Sequence, residues 1–159
     1  MVEAHVSEAV IQTMEQLQRI LGIDFGTTRI GLSLSDPLLI LAHPYSTLTN
    51  DHRALVQLDE IVVREKVGLI VVGMPFNLKG ERGGKALEVE RFIEKLKGAV
   101  HVEIVTWDER FTTVIAHQTL QTMGTRQRER RTNKGRVDAM AAALLLQSYL
   151  DSRRRSSSC

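Results

Sequence analysis

Arg19-Ile20-Leu21-Gly22-Ile23-Asp24-Phe25-Gly26-Thr27-Thr28-Arg29-Ile30-Gly31-Leu32-Ser33-Leu34 is the stretch on which the fold class turns. Arg19 to Phe25 reads as a buried strand, and Gly26 breaks it. Arg29 to Leu34 is a second strand of β-favouring and small residues. Gly26-Thr27-Thr28 joins the two as a hairpin. Asp24 interrupts the apolar first strand. A lone carboxylate there costs several kcal/mol to bury unless it is paired or bound to a cation. Alternatively, Asp24 ends the strand and caps the following turn. Both readings stand at this point.

Outward from the hairpin, a third short strand is expected near Tyr45 to Leu48, after the Pro44 boundary. A helix follows over 51–66, with Leu55, Leu58 and Val62 on one face and Asn50 or Asp51 as its cap. Gly68-Leu69-Ile70-Val71-Val72-Gly73 is a continuous apolar run, as in a central parallel strand covered on both faces. Residues 75–84 read as a loop rich in Gly, Lys and Arg. A helix over 85–97 offers Leu87, Phe92 and Leu96 for burial, and His101 to Trp107 reads as a strand. Thr112 or Thr113 opens a helix that stops at Gly124, and residues 125–135 form a basic loop. The last helix, 136–150, is apolar on nearly every side and should be well buried.

An antiparallel opening followed by βαβ units gives an α/β fold, a mixed five-stranded sheet flanked by helices. Ahead of it, residues 7–18 have Val10, Met14 and Leu17 at helical spacing, with Ser7 as a cap. The expected division is therefore an N-terminal helical extension (1–18), either packed on the domain or a partly ordered tail, the domain itself (19–151), and a disordered, low-complexity Arg/Ser tail (152–159).

The totals narrow the function classes. A chain of 159 residues suits one domain with a real core. One cysteine, Cys159, excludes an intrachain disulfide and a cysteine metal cluster. No secretory leader is visible, and the longest apolar runs are far too short to span a bilayer, so a cytoplasmic location is expected. The net charge of +2 implies no partner by itself. Its distribution does, because basic residues concentrate after residue 125.

Three acidic positions carry the chemistry. Besides Asp24, Asp108 and Glu109 follow a strand that ends at Trp107, and ligands collect at the carboxyl ends of strands in α/β sheets. The competing reading is a solvated strand exit with Asp108 paired to Arg110. Asp138 lies in the first turn of the last helix, where it would complement the helix dipole. One turn on are Ala141, Ala142 and Leu145, so this face lies against protein and the carboxylate asks for a partner. Several ionised carboxylates in one place repel one another. Mg²⁺ or Mn²⁺, hard ions that favour oxygen ligands, would reverse that. Two such ions about 4 Å apart can stabilise the attacking and leaving oxygens at a phosphodiester. Arg126, Arg128, Arg130, Arg131, Lys134 and Arg136 lie just before Asp138. Charge runs are usually solvated faces, but here arginine forks suit phosphate and abut the acidic site. His5, His43, His52, His101 and His117 are scattered and show no zinc spacing.

Four ordered motifs carry a resemblance. They are Ile23-Asp24-Phe25-Gly26-Thr27 with Arg29-Ile30-Gly31; Val71-Val72-Gly73-Met74-Pro75 with Asn77 and Gly80; Asp108-Glu109-Arg110-Phe111-Thr112-Thr113; and Lys134-Gly135-Arg136-Val137-Asp138, followed by Ala141-Ala142 and Gln147-Ser148-Tyr149-Leu150. Over residues 20–151 the chain resembles the YqgF/RuvX family, described as pre-16S rRNA nucleases and as Holliday junction resolvases. The resemblance implies a ribonuclease H-like fold and a metal-dependent endonuclease, with its acidic site at Asp24, Glu109 and Asp138. Asp108 belongs to the same motif, and the choice between it and Glu109 stays open. Thr27, Arg29, Asn77, Arg110 and Thr113 are implied as supporting or substrate-contacting positions, and Lys79, Arg82 and Lys85 join the basic loop in holding the backbone. Thr28 stands where the family commonly has lysine, and Lys79 where it commonly has an acidic residue. The expected partners are nucleic acid, as pre-rRNA or branched DNA, and a ribosomal particle, with the protein a monomer or homodimer.

Two rivals remain. Gly22 to Thr28 also resembles the first phosphate loop of actin-like and chaperone ATPases, but their cleft needs two domains and this chain holds no second Gly-rich phosphate loop. A non-catalytic nucleic-acid-binding module is the other. Related domains in transcription elongation factors have lost acidic residues, whereas here all the candidates are present.

Overall fold

The computed structural model describes residues 7–76, 79–112 and 134–157. After a helix α1 (Glu8–Gln16), three strands follow one another: β1 (Arg19–Phe25), β2 (Arg29–Ser35) and β3 (Ala42–Thr49). Helix α2 (Ala54–Arg64), strand β4 (Val67–Met74), helix α3 (Gly84–Ala99) and strand β5 (Glu103–Asp108) continue the chain. A single 3-10 turn, Glu109–Phe111, leaves β5, and helix α4 (Lys134–Ser157) closes the described chain. The five strands form one sheet in the order β3-β2-β1-β4-β5. β1 and β2 pair antiparallel, as do β2 and β3, whereas β4 lies parallel to both β1 and β5. The sheet is thus mixed and five-stranded, as the hairpin followed by apolar βαβ units predicts.

β1 and β4 read as unbroken apolar runs because helices cover both faces of the sheet. Leu21, Ile23, Ile70 and Val72 face α2 and α3, where they pack with Leu58, Phe92 and Leu96. Ile20 and Val71 face the other way, onto Leu146 and Leu150 of α4. Truncating one of these fully buried leucines to alanine costs about 2–5 kcal/mol.

Small residues under α4 let it lie close on the sheet. A Cβ on Gly31 would collide with the main-chain carbonyl of Asp138, so α4 passes β2 at backbone distance. The buried Ser33 hydroxyl donates to the Ala142 carbonyl at 2.7 Å, and Ser35 Oγ accepts from the Ile20 amide at 2.8 Å. The polar atoms on this apolar face are therefore satisfied. Gln147 accepts from the Ala42 amide and donates to the Ile40 carbonyl, tying α4 to the β2–β3 loop.

Several boundaries differ from the sequence reading. β3 begins three residues before Tyr45 and includes Pro44. β3 is an edge strand, and its register with β2 shifts between Leu32 and Ser33, so the missing proline N–H is tolerated. Neither Asn50 nor Asp51 is the residue at the N-cap of α2, a place taken by Arg53; Asp51 Oδ1 instead accepts from the Arg53 amide at 2.9 Å. Leu87 is not buried: it is 49% exposed on the outer side of α3. Helix α4 starts at Lys134 and runs to Ser157, so Arg153–Ser156 continue a helix where a disordered tail was expected. The basic run Arg153-Arg154-Arg155 suits the last turns of a helix, where cations meet the negative dipole end. Val10 and Ile11 of α1 are exposed, and the side chain of Met14 lies outside the described residues. The helix expected to end at Gly124 and most of the basic loop lie outside the described residues.

Candidate active site

The acidic residues arrive at the sheet's carboxyl end from three separate stretches. Asp24 is the penultimate residue of β1, opposite Gly31 in register. Glu109 opens the 3-10 turn beyond β5, whose register sets Met74 of β4 against Asp108. Asp138 belongs to the second turn of α4, because the helix begins at Lys134 and its first turn has no acidic residue. The expected first-turn position is corrected by this earlier start, and the helix dipole gives a weaker account of the carboxylate.

Two devices hold Glu109 in place. Gly73 leaves room for it: a Cβ there would lie 2.8 Å from Glu109 Oε1 and 3.0 Å from Leu145 Cδ2. The end of β5 is anchored to α4 through Trp107, whose Nε1 donates to Ser148 Oγ at 3.1 Å and whose ring meets Tyr149 edge-on at 5.5 Å. Ser148 Oγ in turn donates to the Phe111 carbonyl at 3.2 Å.

The three carboxylates share one electrostatic field. Asp24 is pushed up to about 7 from an ordinary 3.8, first by burial, then by the charges of Glu109 and Asp138, with Lys85 partly offsetting them. Asp24 and Glu109 line a concave pocket of ≈ 210 Å³ with Thr27, Pro75, Lys85 and Glu88. Asp138 forms an ion pair with Arg29, Nε to Oδ2 at 2.6 Å, with both side chains about one-third exposed. Among the described residues no three His, Cys, Asp or Glu side chains are gathered closely enough to hold a metal ion as they stand.

Asp108 has a different task. It accepts from the Arg110 amide at 2.9 Å and from the guanidinium at 2.6 Å, which holds its carboxyl below the usual range. Glu109, one residue on, faces the Asp24 pocket. Arg110 is further positioned over the Phe76 ring, 5.7 Å from its centroid.

Thr27 is exposed and its hydroxyl donates to Glu88 Oε2 at 3.4 Å. Lys79 is exposed in the β4–α3 connection, and Arg82 is paired with Glu90 at 2.8 Å. Arg136 is exposed in the first turn of α4, in the helix where the sequence reading placed it. Asn77, Thr113, Arg126, Arg128, Arg130 and Arg131 lie outside the described residues, as does the side chain of Lys134. Sequence reasoning gave Asn50 only a helix-capping role and passed over Glu88. Asn50 Nδ2 donates to the Gly26 and Thr27 carbonyls at 2.9 and 3.2 Å and so fixes the β1–β2 turn. Glu88 was legible only as the residue one turn after Lys85, on a helix whose face toward the sheet end could not be read.

Known proteins resemble this chain in sequence and in fold. A family model described as "RuvX: Holliday junction resolvase" matches residues 18–152. A protein of Endomicrobium trichonymphae named "Putative pre-16S rRNA nuclease" is 42% identical over 137 residues, 85% of this chain and 96% of its own. One of the same name from Sulfurihydrogenibium is 36% identical over 85% of this chain and 91% of its own. Among solved structures, T. thermophilus RuvC in complex with Holliday junction substrate aligns with a TM-score of 0.53 at 17% identity, over 85% of this chain and 96% of that one. The fowlpox virus resolvase in complex with Holliday junction DNA aligns at 0.51 and 11% identity, over 86% and 99%. These two likenesses establish the ribonuclease H-like fold of the resolvases. With the family model spanning most of the chain and relatives above one-third identity along nearly their whole length, the chain belongs to the RuvX family.

Proposed function

We propose that this protein is a divalent-metal-dependent endonuclease that hydrolyses phosphodiester bonds in structured nucleic acid, acting on the 5′ end of pre-16S rRNA. The observation that carries this reading is the meeting of Asp24, Glu109 and Asp138, distant in sequence, at one end of the sheet, with Asp24 pushed up to about 7 by burial and by the other two. A folded chain has no structural need to set the charges of Glu109 and Asp138 against the ionisation of a largely buried Asp24.

By chemistry the donor set suits Mg²⁺ or Mn²⁺, since all three groups offer carboxylate oxygen, and the side chains would have to draw closer than they stand to hold one ion. Asp24, Glu109 and Asp138 are the residues that would hold it. When bound, two such ions supply an activated water and charge neutralisation at the leaving oxygen. Arg29 holds Asp138 through their ion pair and would offer its guanidinium to a substrate phosphate at the same end of the sheet. Lys85 faces the pocket and neutralises phosphate charge there. Asp108 keeps Arg110 pointed along the sheet end, so Arg110 acts as a positioned phosphate contact and Asp108 as its holder. Arg126, Arg128, Arg130, Arg131, Lys134 and Arg136 supply the cationic contacts to the nucleic-acid backbone. Thr27, Asn77, Lys79 and Thr113 complete the contacts.

The relatives' name favours pre-16S rRNA, whereas the family description favours a four-way DNA junction. A labelled RNA spanning the 5′ end of the 16S precursor and a four-way DNA junction, each incubated with Mg²⁺, Mn²⁺ or EDTA, separate the two. The expected result is metal-dependent cutting of the RNA, absent with EDTA and absent for Asp24→Asn. Cutting of the junction alone would give the resolvase reading. Binding without cutting of either would leave a non-catalytic module.

A further inference from the structure

Beside the carboxylate pocket lies a second, larger hollow that the cutting centre does not use. It encloses ≈ 350 Å³, the size of a small-ligand site. Its floor is apolar, formed by Ala54, Leu55 and the rings of Phe25 and Phe92, whose centroids are 4.6 Å apart. Arg91 and Lys95, one turn apart on the exposed side of α3, stand on its rim. Among the described residues neither has an ion-pair partner. The two hollows share a wall, because Phe25, Thr27 and Glu88 line both. Asp24 and Phe25 are adjacent in the chain, so a strand held at the carboxylates has the second hollow directly beside it.

An apolar, partly aromatic floor under a cationic rim matches the chemistry of an unpaired nucleotide. The base stacks or packs on the floor, and guanidinium and ammonium groups take its phosphate. Asp51 and Glu88 on the same walls offer carboxylates to the amino groups of a base and weaken the site for a bare anion. A base within a continuous duplex is stacked on both sides and cannot fill such a hollow.

We propose that this hollow is a subsite for one unpaired nucleotide of the strand being cut, next to the scissile phosphate. Phe25 and Leu55 lie under the base, and Arg91 and Lys95 hold the phosphate. The inference rests on the nuclease reading above and adds to it a reason for choosing distorted or branched substrates over plain duplex.

The test uses the full chain as Asp24→Asn, in duplexes with one bulged 2-aminopurine or the same residue fully paired. The bulged duplex should bind about tenfold more tightly, within the range that one stacked base supplies, and its fluorescence should change on binding. The added double change Arg91→Glu with Lys95→Glu should reduce this preference to near one. Leu55→Trp, which fills the hollow, should do the same. Both altered residues on α3 are exposed, so the double variant decides the matter if Leu55→Trp fails to fold. Equal binding of the two duplexes, or a preference that survives the double variant, overturns the subsite. Cutting by the wild-type chain is followed in parallel. Cutting that depends on Asp24 without any bulge preference would sink the subsite and leave the nuclease. A bulge preference without any cutting would sink the nuclease and leave the hollow as a binding site for an unpaired nucleotide, with no scissile phosphate beside it.

Discussion

Removing the charge from Asp24 should make the metal-free protein more stable at alkaline pH while abolishing its activity. In the folded chain Asp24 keeps its proton to about pH 7, whereas in the unfolded chain it ionises at an ordinary 3.8. Between those values the folded state binds more protons than the unfolded one. This contribution is therefore fully present below about pH 4, is lost as pH rises towards 7, and is flat above that. At about 1.4 kcal/mol for each tenfold, the unrelaxed cost of the ionised group is about 4 kcal/mol. Side-chain movement and water entry at this partly open site reduce it to about 1–3 kcal/mol. Asparagine keeps the shape and cannot ionise. In EDTA at pH 8, Asp24→Asn should therefore exceed wild type by that amount, or by about 2–4 °C in Tm for each kcal/mol at this chain length. At pH 4 the two should coincide. Urea titrations at both pH values measure it. A variant less stable than wild type at pH 8, or an equal offset at both pH values, would refute the electrostatic account of this site.

Other outcomes follow from the same geometry. Millimolar Mg²⁺ or Mn²⁺ should raise the Tm of the wild-type chain near pH 7.5 by mass action, with little effect on Asp24→Asn, as differential scanning fluorimetry would read. Gly73→Ala should push Glu109 aside and cut the cleavage rate at least tenfold while costing only about 1–3 kcal/mol of stability, a split that kinetics and urea unfolding together reveal. Ser33→Val should leave the Ala142 carbonyl without its buried donor and crowd Gly22 beneath α4, destabilising the chain by about 1–3 kcal/mol, with the loss visible in chemical unfolding.

The order of elements was legible because the apolar residues of β1 and β4 have no polar face, and a strand covered on both sides needs none. Glycine, serine and alanine at positions 22, 31, 33 and 142 concealed how closely α4 approaches, since small residues signal space without saying what fills it. Asp24 and Asp138 were legible as carboxylates in apolar surroundings. The division of labour between Asp108 and Glu109 was not, because it depends on which way the three-residue 3-10 turn after β5 faces. Chain spacing alone allows either to point at Asp24. The arginine two residues after Asp108 was the available clue, and the structure shows four hydrogen bonds between that pair. The early start of α4 was hidden by Gly135, a poor helix residue that lies against Thr47 of β3. The hollow lined by Phe25, Leu55, Arg91 and Lys95 draws on three separate elements and carries no motif of its own.

The central claim is that Asp24, Glu109 and Asp138 act as one metal-dependent cutting centre. Single-turnover cleavage of the preferred substrate in Mn²⁺ tests it most directly, comparing the isosteric variants Asp24→Asn, Glu109→Gln and Asp138→Asn with Asp108→Asn. The account predicts that each of the first three loses at least about a hundredfold in rate, and that Asp108→Asn, which only loosens Arg110, loses less than about tenfold. Full activity in any of the first three, or a loss in Asp108→Asn as large as theirs with Glu109→Gln unaffected, would contradict it.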